Sequence, residues 1–220
     1  MKLLKALGYF LTVVVSALFI LSLSISLPIT FREFYYGRID HYGIIEASGE
    51  SRETVITAYD ELLDSLTSNA PFKTGVFSCS EDAKAHFMDC KFLFLLDYAV
   101  LGATSLFMVG YAIYKFKRRA VNKKVISPLF FGSLIAIFPI AFFGIYLAID
   151  QWEAYKFFHQ ILFYGKSNWL FDITRDGILA ILPQQFFIDC GVFIGISVIV
   201  LSLVFIIFSI TSLILAKKRK

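Results

Sequence analysis

Charge is scarce in this chain. Asp, Glu, Lys and Arg make up 17% of its 220 residues and hydrophobic residues 58%, against about 25% and 45–50% in soluble domains. That balance excludes an ordinary water-soluble domain. Acidic residues are absent from three segments, and each of those is basic. Lys2 and Lys5 stand near the start. Lys115, Lys117, Arg118, Arg119, Lys123 and Lys124 lie within residues 115–127, and Lys217, Lys218, Arg219 and Lys220 follow at the end. Cysteine is also sparse: Cys79, Cys90 and Cys190 are an odd set, which argues against a full disulfide framework. A Cys79–Cys90 bridge stays open for an oxidising compartment, and Cys190 reads as a small apolar residue. There is no Gly-rich phosphate loop, no Gly-x-Ser-x-Gly elbow, no His-Glu-x-x-His and no internal repeat. A covalent serine mechanism is therefore not suggested. The basic segments carry no basic–aromatic RNA motif, so nucleic acid is not expected as a partner.

What the chain does have is long apolar runs. Residues 7–27, 92–114, 129–149 and 186–216 are each long enough to cross a hydrocarbon core, which takes about 20 apolar residues as helix. Pro28 is expected to end the first and Pro128 to open the third. The first run exceeds the apolar core of a signal peptide, about 7–15 residues, and reads as a retained anchor. Lys and Arg concentrate on the cytoplasmic side of membrane proteins. Both termini and the loop 115–127 are thus expected inside, and residues 30–91 and 150–185 outside. The expected fold is an all-α integral membrane protein: four transmembrane helices with a small extracytoplasmic cap.

Within the cap, residues 54–67 set Val55, Ile56, Tyr59, Leu62, Leu63 and Leu66 on one face, the pattern of an amphipathic helix. Residues 34–37 and 40–45 read as irregular or short extended structure. Ser80 is a helix cap, with Glu81 and Asp82 favouring the dipole of the first turn. That helix should run through His86 and Asp89 into the second span without a break. Residues 155–164 and 172–182 are predicted as short helices, separated by a turn at Gly165, Ser167 and Asn168 and ended at Pro183.

The chemistry centres on His86 and His159. Histidine, with a reference pKa of about 6.5, gains and loses protons near neutrality. Asp89 is one turn from His86 and shares its face, where it could orient the ring. His159 lies among Phe157, Phe158, Phe163 and Tyr164, surroundings that favour the neutral imidazole. The loop 157–187 holds more phenylalanine than an interfacial belt needs, and an apolar pocket accounts for the excess better. His41 reads as a surface residue. Asp97, just inside the second span, should reach the interface or pair with Lys91 or a tyrosine. A zinc site built from His86, Asp89, His159 and Asp172 or Asp176 is a rival use of these residues. A non-catalytic sensor or accessory protein with a lipid-binding cap is another.

Two blocks carry a family resemblance. One is Phe77-Ser78, Glu81 and His86-Phe87-Met88-Asp89-Cys90-Lys91. The other is Phe158-His159, Trp169, Phe171-Asp172, Asp176, Ile178, Leu182-Pro183, Phe186-Phe187 and Asp189. With four spans and an outer cap, the chain resembles the bacterial lipoprotein intramolecular transacylases. It departs at Cys90, where the family pattern has a small aliphatic residue. The resemblance implies a cell-membrane enzyme acting on diacylglyceryl-modified lipoproteins among membrane lipid. The sn-2 acyl chain would move to the α-amine of the N-terminal cysteine, leaving the lyso-form lipoprotein. His86 and His159 would be the acid–base pair and Asp89 an orienting residue. Phe158, Trp169, Phe171, Asp172 and Asp176 would line or support the substrate pocket, and no cofactor would be needed.

Overall fold

The computed structural model describes residues 2–118 and 126–218. Arg119, Lys123, Lys124, Arg219 and Lys220, used above to orient the chain, lie outside the described residues. The elements run α1 (Lys2–Thr30), α2 (Glu33–Tyr36), α3 (Ile44–Ser48), α4 (Arg52–Thr67), α5 (Glu81–Arg118), α6 (Pro128–Ile149), α7 (Gln151–Leu162), a 3₁₀ turn (Gly177–Ala180) and α8 (Gln184–Lys218). Four of them, α1, α5, α6 and α8, are long and apolar enough to cross a membrane. The fold is all-helical, with no strand among the described residues. Pro28 does not end α1 but sits inside its last turn. A proline takes its own amide out of the ladder and crowds the carbonyl four residues back, yet the next turn closes through Phe31 N–H to the Leu27 carbonyl at 2.9 Å.

The chain divides into two compact units. The first comprises Met1–Ile25, Tyr98–Ile145 and Ile194–Lys220. Its core is Ala17, Ile20, Ala136 and Val198, with Phe19 and Phe205 stacked 6.2 Å apart against it. Small residues bring helix backbones close, as is usual where lipid removes the ordinary hydrophobic drive between helices. Gly132 on α6 is the tightest such point: a Cβ there would fall 2.0 Å from Ser16 Oγ and 2.8 Å from the Val13 carbonyl of α1. The buried Ser16 and Ser133 hydroxyls donate to carbonyls of their own helices, Val13 and Leu129. A Gly132→Val chain is expected to lose about 1–3 kcal/mol by overpacking. Thermal denaturation of the detergent-solubilised protein measures that loss.

The second unit comprises Ser26–Asp97 and Tyr146–Phe193, and so gathers both segments expected to form the cap. Ser51 caps α4 by accepting from Thr54 N–H at 3.1 Å. The expected face of α4 is inward: Val55, Tyr59, Leu62, Leu63 and Leu66 are buried. Tyr59 stacks on Tyr35 at 3.8 Å, and the Tyr35 hydroxyl donates to the Ile181 carbonyl at 2.8 Å. Asp97 accepts from Ser26 Oγ at 2.6 Å, a partner the sequence reading did not name.

Two local expectations fail. Residues 34–36 and 44–45 are helical where irregular or extended structure was expected, while Gly37 and residues 40–43 are turns. Residues 172–182 hold only the 3₁₀ turn where a longer helix was expected. Aspartates compete for backbone donors and disfavour helix interiors. Here Asp172 Oδ1 takes Thr174 N–H at 2.9 Å, and Asp176 Oδ2 takes Asp172 N–H at 3.0 Å.

Candidate active site

The second unit carries both histidines. Ser80 starts α5 by accepting from Ala83 N–H at 3.2 Å, and the helix then runs unbroken past His86 and Asp89. Asp150 caps α7 in the same way through Glu153 N–H at 3.0 Å, which puts His159 in the third turn. After α7, Gly165 makes the turn with φ 75°, a conformation glycine adopts without strain. The loop then closes on the strand of chain before α5. Ser78 accepts from Gly177 and Ile178 N–H at 3.0 and 3.1 Å. The buried Asp176 carboxylate accepts from Ser80 N–H at 2.7 Å.

This closure brings the two imidazoles together, ring centres 5.8 Å apart. Aromatics surround the pair. Phe163 and Phe171 present edges to His86 at 4.6 and 5.5 Å. Trp169 stacks on His159 at 4.9 Å, and the Tyr155 ring lies 4.0 Å from it. Phe158, next to His159 and 5.4 Å from it, is largely exposed. Trp169 is held by its indole N–H to the Lys166 carbonyl at 2.9 Å, and its own carbonyl accepts from the Tyr155 hydroxyl at 3.1 Å.

The two rings differ in their hydrogen bonds. His159 Nδ1 lies 2.8 Å from the Tyr155 carbonyl. A carbonyl only accepts, so Nδ1 carries the hydrogen and the neutral ring keeps its lone pair on Nε2. His86 Nε2 lies 3.5 Å from Cys90 Sγ, while its Nδ1 is buried without a partner. Burial pushes both histidines below their ordinary pKa. For His86, which stands before the apolar run 92–114, the fall is to about 4, with the neighbouring His159 and Lys166 adding to it and Asp89 opposing. For His159 the Tyr155 hydrogen bond opposes the fall. Both rings are therefore neutral at pH 7.

The carboxylates have other work. Asp89 faces Lys166 Nζ at 2.5 Å and Asn168 Nδ2 at 3.1 Å, and no bond joins it to the His86 ring. Burial would raise its pKa, but the bonds from Lys166 and Asn168 hold it below the usual range. Asp89 therefore orients the loop that carries Trp169. Asp172, next to Phe171, bonds Thr174 and Arg175 at the surface. Asp176 ties that loop to the start of α5. Cys79 and Cys90 are free thiols, and burial pushes Cys90 up to about 12. Among the described residues no three His, Cys, Asp or Glu side chains gather as a metal ligand set. The zinc grouping is thus not assembled. Sequence reasoning missed Tyr155, Lys166 and Asn168 as partners. Only Tyr155 left a signal, its i, i+4 spacing to His159.

The sequence model of the family described as lipoprotein intramolecular transacylase Lit matches residues 10–187, a stretch that includes every residue named above around the two histidines. The chain belongs to this family. Lit proteins are transacylases, so the chain is an acyltransferase, and the sensor reading falls away. Solved structures agree in fold. The membrane-integral lipoprotein intramolecular transacylase Lit from Bacillus cereus superposes with a TM-score of 0.86 at 23% identity, covering 100% of this chain and 99% of that one. Two further structures of the Bacillus cereus protein each carry a substituted histidine. The histidine-to-arginine variant matches at 22% identity and the histidine-to-alanine variant at 23%, both with a TM-score of 0.81 over 100% of this chain; they are covered to 96% and 97%. At these identities the likeness carries the fold. No curated protein sequence matches the chain significantly.

Proposed function

We propose that this Lit-family protein moves the sn-2 acyl chain of a lipoprotein's diacylglyceryl group onto the α-amine of its N-terminal cysteine. The observation that carries the reading is the pair of imidazoles, 5.8 Å apart in an aromatic enclosure, one of them with its Nδ1 bonded to a carbonyl and its Nε2 lone pair free. The amine nitrogen attacks the ester carbonyl carbon, an N–C bond forms, and the carbonyl π pair moves to oxygen. The ring closed in that step contains the amine nitrogen, Cα, Cβ, sulfur, two glyceryl carbons, the ester oxygen and the carbonyl carbon. His159 Nε2 takes the amine proton. His86 faces the oxygen on which charge develops. Its partner Cys90 keeps its proton, and a thiol donates to an imidazole nitrogen better than it accepts from one. That leaves the His86 hydrogen on Nδ1, a donor for the oxyanion. The ester C–O bond then breaks and the glyceryl oxygen takes the proton from His159. The reaction is an isomerisation that consumes neither water nor cofactor. Closing so large a ring is chiefly an entropic problem, and orientation in well-aligned cases contributes about 7–11 kcal/mol. The aromatic enclosure supplies that orientation.

The basic termini and the basic residues within 115–127 support a topology with both ends cytoplasmic and the site at the outer interface of the cell membrane. The four spans and the cap 30–91 plus 150–185 then act as one membrane domain. The decisive experiment mixes two synthetic diacylglyceryl lipopeptides, one deuterated in its sn-2 chain, with the protein in vesicles. Each peptide is expected to keep its own chain while that chain moves to nitrogen. Exchange of labelled chains between peptides, or no movement, would refute the reading.

The pH profile follows from the depressed histidines. Their neutral forms persist below pH 6.5, whereas the substrate ammonium, with a pKa of about 7.7–8.0, is the last group to lose its proton. kcat/KM is expected to rise through the amine range and level off above about pH 8. A step near pH 6.5 would show that a histidine of ordinary acidity limits the rate.

A further inference from the structure

Two buried side-chain atoms among the described residues lack any hydrogen-bond partner, His86 Nδ1 and Asn168 Oδ1. Buried polar atoms are normally paired, and an exception calls for an explanation such as a ligand. Both lie around the site described above. Asn168 Nδ2 donates to Asp89 Oδ2 at 3.1 Å, and Asp89 stands one helical turn beyond His86. Asn168 also precedes Trp169, which stacks on His159. The orientation of the carboxamide is fixed by chemistry. A carboxylate accepts only, so the amide nitrogen must face Asp89 and the amide oxygen must face away from it.

We infer that Asn168 Oδ1 is a binding group for the α-amine of the substrate. The inference rests on the acyl-transfer reading and adds a residue to it. That substrate brings one hydrogen-bond donor to the reacting centre, the amine, and one acceptor, the ester carbonyl. Beside the His159 Nε2 lone pair, the site offers a second spare acceptor, Asn168 Oδ1, and one spare donor, His86 Nδ1. An N–H held by Asn168 leaves the nitrogen lone pair free for the carbonyl carbon and another N–H free for His159. Lys166 bonded to Asp89 at 2.5 Å neutralises the nearest carboxylate. The amine is therefore held by a neutral acceptor and not by an ion pair that would keep it protonated.

Asn168→Leu tests this, because it keeps the size and removes the oxygen; the Nδ2 bond to Asp89 goes with it, while the Lys166–Asp89 pair still holds the loop. Two lipopeptides are compared for binding to the full chain in nanodiscs: one with its free α-amine, one desamino analogue with hydrogen in its place. The wild type is expected to bind the free-amine peptide about 10-fold or more tightly, because the desamino analogue leaves the buried Asn168 Oδ1 without a donor. Asn168→Leu is expected to narrow that preference to about 3-fold or less, with His159 Nε2 remaining as an acceptor. An unchanged preference in Asn168→Leu would overturn the inference. Binding does not require turnover, so a wild type that discriminates but never transfers the chain would count against the acyl-transfer reading alone. Equal binding of both peptides by the wild type would also overturn the assignment of Asn168.

Discussion

Replacing His159 with alanine is expected to slow acyl migration about 10²–10⁴-fold, the usual contribution of a positioned general base. Apart from its packing against the surrounding rings, the side chain makes one hydrogen bond, to the Tyr155 carbonyl of its own helix. Its loss therefore leaves no distant partner stranded. KM should change little, since acyl chains and aromatics still hold the substrate. His86→Ala should cost about 10²–10³-fold, as for an oxyanion donor. Because the two act in one step, the double variant should be little slower than the worse single one. Rates on a synthetic lipopeptide, with size-exclusion profiles to check folding, measure all three. Near-full activity in both single variants would refute the histidine mechanism.

Asp176→Ala is expected to have the largest effect on stability of any single change around the site. Its buried carboxylate accepts from Ser80 N–H and Asp172 N–H. Alanine strands both donors, at about 1–3 kcal/mol each. It also frees the loop bearing Trp169 from the start of α5, so activity should fall although both histidines remain. Asp176→Asn keeps one acceptor oxygen and should lie between. Burial would raise this carboxyl's pKa, but its bonds to Ser80 and Asp172 hold it below the usual range. The anchor is therefore intact at neutral pH and is lost only as pH falls through that lowered value. Thermal unfolding in detergent measures the effect, and a midpoint equal to wild type would contradict the anchor.

Much of the fold was legible because membrane constraints are one-dimensional. Apolar run length marked the four long helices, and Ser80 with Glu81 and Asp82 marked the start of α5. The site was legible in its residue types but not in its wiring. His86 and His159 come from helices far apart in sequence, and hydrogen bonds between the segments that flank them, Gly177 N–H to Ser78, Ser80 N–H to Asp176 and Lys166 to Asp89, bring them together. Asp89 has helical spacing to His86, which suggested a bond to the ring. A lysine ammonium from the loop competes for the same carboxylate and forms the stronger, charge-assisted contact. At residues 172–182, the apolar residues Ile178, Leu179 and Leu182 suggested a helix. The aspartates there spend their oxygens on backbone N–H groups of turns, a choice that periodicity does not register.

The proposed reaction is an acyl transfer within one lipoprotein by means of two histidines. The transfer leaves mass unchanged, so it must be read by fragmentation. N-terminal lipoprotein peptides would be taken from cells making diacylglyceryl lipoproteins with free amines, and expressing either the chain or its His86→Ala, His159→Ala double variant. The account predicts N-acyl cysteine bearing a monoacylglyceryl thioether with the chain, and a free amine with an intact diacylglyceryl group with the variant. A free amine in both samples, or N-acyl cysteine in both, would contradict it.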